Sequence, residues 1–152
     1  MFRTRVPLTS AFSGLVFAAL AVGAAGPAGA DDDFGVGATS PAYAIEVTDV
    51  TAKVGDHAVM HATLSVRDGY RILEPYNNRV IQLSSYDDGV VFERKMVPAQ
   101  LQEGALVFAV PLRATKPGKH PINGIFRVGY IHDPDELSMV SVPLIANVTG
   151  TE

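Results

Sequence analysis

From Pro41 onward, turn residues punctuate the chain about every 8–12 residues. That spacing constrains the fold more than any other feature, because it leaves room only for short strands. Between the turns the apolar residues alternate. In "HAVMHATLSV", Ala58, Met60, Ala62, Leu64 and Val66 fall on one face and His57, Val59, His61, Thr63 and Ser65 on the other. No stretch holds a helical period. The pattern predicts an all-β domain, an immunoglobulin-like antiparallel β-sandwich of about seven or eight strands.

The individual runs carry their own punctuation. "YAIEVTDVTAKV" starts in step and breaks near Asp49, as a bulged or sheet-switching edge strand does. "YRIL" is cut short by "EPYNN". "DDG" (87–89) separates "RVIQLSSY" from "VVFERKMV" as a hairpin turn would. "ALVFAVPLRA" ends at "TKPGKH", where Pro117 and Gly118 suit a turn. The last two strands, "HPINGIFRVGYIH" and "LSMVSVPLIANV", flank the acidic loop "HDPDE". Pro111 and Pro143 are expected at edges or bulges, since proline cannot donate to a ladder.

The first 30 residues read as a cleaved signal peptide: Arg3 and Arg5, an apolar run from Ala11 to Ala25, and small residues at Ala28–Ala30. The apolar run is short of the roughly 20 residues of a membrane span, so no stable membrane insertion is expected after cleavage. Residues 31–41 form a flexible acidic leader and 42–150 a single sandwich domain, periplasmic or secreted. Without Arg3 and Arg5, Lys and Arg number 12 − 2 = 10 against 16 Asp and Glu, a formal charge of 10 − 16 = −6. No basic cluster exists, which argues against nucleic acid or an anionic membrane as partner.

The chain has no cysteine. Stability in an oxidising compartment then rests on packing alone. Thiol redox chemistry, zinc–thiolate sites, iron–sulfur clusters and a cysteine nucleophile are excluded together.

Few residues suggest other chemistry. His57 and His61 of "HAVMH" lie ~13 Å apart on a strand rising ~3.3 Å per residue, with Met60 on the opposite face, so they cannot share an ion. His132, Asp133, Asp135 and Glu136 could begin an oxygen-rich metal site, though their spacing is not that of a twelve-residue calcium loop. There is no "GxSxG" elbow and no Gly-rich loop leading into a helix. A non-enzyme without a cofactor is the expectation. "GYRILEPYNN" brings Tyr70, Tyr76 and Arg71 close to Arg79, and Tyr and Arg are residue types that carry binding energy at interfaces.

Three pieces in this order, "ATLSVRDGYRIL", "KPGKHPINGIFRVGY" and "VSVPL", resemble the N-terminal periplasmic domain of the thiol:disulfide interchange protein DsbD. The resemblance spans most of residues 43–148. It implies a sandwich scaffold that docks other periplasmic proteins. In that family a cysteine pair shuttles electrons, and its positions would fall near Ile131 and Leu137, so electron transfer does not carry over. The resemblance therefore implies a redox-dead relative that binds another extracytoplasmic protein. The expected contact surface is Tyr70, Tyr76, Arg79, Ile131, His132, Asp133, Asp135, Glu136 and Leu137. The alternative is a metal-binding or metal-delivery protein using His132, Asp133, Asp135 and Glu136.

Overall fold

The computed structural model describes residues 40–132 and 134–152. The expected signal peptide, nearly all of the acidic leader, and Asp133 lie outside the described residues. The rest is a β-sandwich without helices. Its strands are β1 (Tyr43–Val47), β2 (Val50–Lys53), β3 (His57–Val66), β4 (Tyr70–Ile72), β5 (Arg79–Ser85), β6 (Val90–Phe92), β7 (Val97–Pro98), β8 (Gln100–Gln102), β9 (Ala105–Ala114), β10 (Gly118–His132) and β11 (Glu136–Thr151). A five-stranded sheet runs β1-β3-β9-β6, with β8 also on β9; a six-stranded sheet runs β2-β11-β10-β5-β7, with β4 also on β10. All pairings are antiparallel except β2 with β11.

The core is what the alternation of the apolar residues requires. Met60, Ala62 and Leu64 of β3 face Phe126, Val128 and Leu144 of the other sheet from within one buried cluster. Phe108 and Phe126 meet across the sandwich with ring centroids 5.0 Å apart and planes at 62°, the edge-to-face arrangement that aromatic quadrupoles favour. Val80 and Leu83 are both buried although three positions apart. The reason is a bulge: β5 spends one extra residue between Ile81 and Ser84, opposite Asn123 and Ile125, with Gln82 at φ 57°.

The break near Asp49 is a change of sheet, β1 joining one and β2 the other. Pro111 lies where β9 passes from β8 to β6, and Pro143 lies on β11 where no second strand pairs with it among the described residues. Two expectations need correction. Eleven strands replace about seven or eight, because "YAIEVTDVTAKV" divides into β1 and β2 and "VVFERKMVPAQLQ" splits into three short edge pieces. The "DDG" turn does not close a hairpin: β5 belongs to the six-stranded sheet and β6 to the five-stranded one. Its chemistry is local, with the Gly89 amide donating to Asp87 Oδ1 at 2.9 Å, so it serves as well for a crossing between sheets.

His120 ties this crossing to the β9–β10 turn. Its Nδ1 lies 2.7 Å from Asp87 Oδ2 and its Nε2 lies 2.8 Å from the Lys116 carbonyl oxygen. Both neighbours only accept, so the two contacts are both satisfied as hydrogen bonds only when the ring carries a proton on each nitrogen. The Asp87 hydrogen bond pushes the His120 pKa up against the opposing effect of burial. The same bond, helped by the Gly89 amide, holds the Asp87 carboxyl down at about 2. A histidine with a raised folded pKa contributes stability below its unfolded value and loses it as pH rises through the folded one. An aspartate with a lowered pKa contributes above its unfolded value and loses it as pH falls toward the folded one. Thermal stability is therefore expected to peak between about pH 4 and about pH 6.5. Melting curves of the wild type should fall on the alkaline side of that window, and those of His120→Gln should lose this dependence; parallel curves would refute the linkage.

Gly89 is required at the same place, since a Cβ there would collide with His120 Nδ1. Gly89→Ala is expected to lower stability by about 1–3 kcal/mol, the cost of overpacking, measured by denaturant unfolding. An unchanged midpoint would show that the ring can move aside.

Candidate functional site

The site candidates gather at the end of the six-stranded sheet where β10 turns into β11. The two strands pair without a register shift from Gly118 opposite Gly150 to His132 opposite Glu136. The acidic loop is therefore shorter than "HDPDE", because its first and last residues are paired strand residues. On the other side of β10, β4 sets Tyr70 opposite His132, Arg71 opposite Ile131 and Ile72 opposite Tyr130.

Alternation then sorts the expected contact residues onto two faces. Tyr70 and His132 share the inner face with Tyr130. The Tyr70 and His132 rings stack at 4.6 Å, Tyr70 meets Tyr130 at 5.8 Å, and Tyr130 meets Tyr43 of β1 at 5.8 Å. This aromatic row closes one end of the sandwich between the sheets. Burial, then the nearby Tyr130, pushes the Tyr43 hydroxyl pKa above its ordinary value. Ile131 and Leu137 lie on the outer face, where Leu137 is 62% exposed.

Asn78 organises the loop between β4 and β5. Its Oδ1 accepts from the Gly129 amide at 2.8 Å, and its Nδ2 donates to the carbonyls of Leu73 at 3.1 Å and Tyr76 at 3.0 Å. One buried carboxamide thus fills the gap in the ladder beside β10 and sets the path of residues 73–78. Tyr76 lies over Gly129, where a Cβ would come within 2.9 Å of the ring. Tyr76 is half-buried for this reason. Arg79 donates to the Asn77 carbonyl at 2.5 Å and sits opposite Arg127, further along the sheet from Tyr70 and His132.

Between β4 and β8 the two sheets leave an open groove. A cavity of about 270 Å³ is lined by Ile72, Pro75, Tyr76, Asn78, Pro98 and Leu106, among others. A second, of about 350 Å³, is lined by Val66, Tyr70, Arg71 and Gly104; Ile72, Glu74 and Leu101 border both. The lining mixes the apolar Ile72, Leu101 and Leu106 with tyrosine, arginine, asparagine and glutamate side chains. Among the described residues, no buried side-chain nitrogen or oxygen lacks a hydrogen-bond partner. The groove thus offers a mixed apolar and polar surface without an unpaired buried polar group among the described residues.

Of the expected metal ligands, Asp133 lies outside the described residues, and the side chains of His132, Asp135 and Glu136 do not converge. His132 Nδ1 is 3.7 Å from Glu136 Oε2, while Asp135 Oδ1 faces the Arg71 guanidinium at 3.7 Å. Among the described residues, no three His, Asp or Glu side chains come together as an ion would need. The histidines of "HAVMH" part as their spacing requires. Met60 is in the core, and His57 sits between Glu93 and Arg113, with 2.6 Å to each. Arginine can only donate, so His57 Nε2 accepts from Arg113 and Nδ1–H donates to Glu93.

Leu101, Ile72 and Pro98 line the groove, yet in the sequence nothing separates them from core or turn residues. Asn78 reads as ordinary turn chemistry until the Gly129 amide is set beside it. No known family model matches the chain, and no curated protein matches it either.

Proposed function

We propose that the chain is a non-catalytic exported binding module, a redox-dead relative of the DsbD N-terminal domain that docks another extracytoplasmic protein. The observation that supports this most is the groove between β4 and β8. Ile72, Leu101 and Leu106 line it together with Tyr70, Arg71 and Tyr76. Tyrosine and arginine beside apolar side chains are the usual makings of an interface hot spot. The 73–78 loop is held by Asn78 and stacked on Gly129, so it meets a partner with little ordering left to do.

Leu101 is 45% exposed on an edge strand, so Leu101→Arg should leave the fold intact. Affinity capture from an extracytoplasmic extract is expected to retain one partner with the wild-type protein and to lose it with Leu101→Arg. A partner held equally well by the variant would move the site elsewhere, and no partner at all would count against the proposal.

A further inference from the structure

We propose that the chain associates reversibly with a second copy of itself by pairing the open edge of β11 antiparallel with the same edge of the other copy, the two-fold axis passing at Ser141. This goes beyond the docking role of the groove and stands on a different edge.

The direction of the backbone groups comes from their partners. Gly129 gives its N–H to Asn78 and its carbonyl to the Leu73 amide, both on the side of β10 away from β11. Its register partner Met139 therefore points its own N–H and C=O away from β10, as a non-hydrogen-bonded pair does. Further along, the Asn147 amide donates to Asp49 and the Thr151 carbonyl accepts from the Val54 amide, on that same outward side. Alternation makes Leu137, Met139, Ser141, Pro143 and Ile145 the outward positions. β2 pairs only from Val148 onward, so among the described residues no strand meets these five.

The edge is self-complementary. With Ser141 at the axis, Leu137 lies opposite Ile145 of the second copy and Met139 opposite Pro143. Leu137, Met139 and Ile145 are 62%, 67% and 45% exposed, so the pairing would join them into one apolar stripe on the outer face. Leu137 to Thr151 contains no charged residue, so two copies of an acidic chain can meet there without repulsion. Exposed edges are normally guarded by lysine, charge or proline, and here Pro143 alone does so, costing one hydrogen bond on each side of the axis.

The size of the contact sets its strength. Nine residues at ~3.4 Å each, on a sheet ~10 Å thick, give roughly 300 Å² on each copy. Twice that is well under the ~1,200 Å² of stable complexes, so the dimer is weak and forms with rising concentration.

The cysteine-free chain makes the test clean. On mild oxidation of the full chain, Ser141→Cys is expected to form a disulfide-linked dimer faster than His61→Cys on the opposite sheet. Leu137→Cys mixed with Ile145→Cys should link to each other and not to themselves. Sedimentation of the wild type should show concentration-dependent dimer, and Met139→Lys should weaken it by about tenfold or more. Equal rates for Ser141→Cys and His61→Cys, self-linking of Leu137→Cys, or a wild-type monomer at every concentration would overturn the proposal. So would Ser141→Cys linking only to a different protein, which would assign the edge to a foreign strand.

Discussion

Asn78→Ala is expected to lower stability by about 3 kcal/mol and to abolish partner capture at the groove. The variant removes one acceptor and two donors that hold the Gly129 amide and the Leu73 and Tyr76 carbonyls. Leaving such buried groups unpaired costs ~1–3 kcal/mol for each, partly recovered where water can enter. The loop would lose its path, and Tyr76 its seat on Gly129. Asn78→Asp separates the donors from the acceptor. It keeps a group for the Gly129 amide but turns a carboxylate toward two carbonyl oxygens, so its stability should rise as pH falls and the carboxyl takes up a proton. Urea unfolding of both variants, with capture in parallel, is the measurement. A variant as stable as the wild type would mean that Asn78 does not organise the loop.

Phe126→Ala is expected to cost more, about 3–5 kcal/mol. Phe126 is 1% exposed and meets the fully buried Phe108 from the opposite sheet. Small domains hold only about 5–15 kcal/mol in all, and this one has no disulfide to fall back on. Phe126→Leu should lose less, since most of the volume remains. Denaturant midpoints that differ little between the two variants would show that the core collapses around the cavity.

The sandwich was legible because period-two alternation and turn chemistry are local. Met60, Ala62 and Leu64 against His57, Val59 and His61 announce their faces within ten residues. The change of sheet at Asp49 was legible for the same reason, as a break in step. What turn residues do not say is where the next strand pairs. "DDG" serves a crossing between sheets as readily as a hairpin, and only the partners of β5 and β6 distinguish the two.

The arrangement of the candidate residues was legible in part. Tyr70 and His132 do meet, and Ile131 and Leu137 do pair, but on opposite faces of the sheet. Arg79 belongs further along, and Asp135 faces Arg71. The groove lining includes Leu101, which comes beside Ile72 only through the packing of two sheets. The outward row on β11 needed the hydrogen bonds of Gly129 and Asn147, which no spacing in the sequence reveals.

The measurement that tests the account most directly is site-specific photocrosslinking in an extracytoplasmic extract. One crosslinker is placed at Glu74, which borders both cavities, and another at His61, exposed on the outer face of the five-stranded sheet. The account predicts one protein partner caught from Glu74, absent from His61, and lost when Tyr70→Ala is combined with the Glu74 label. A partner caught equally from both positions, or from His61 alone, would contradict it.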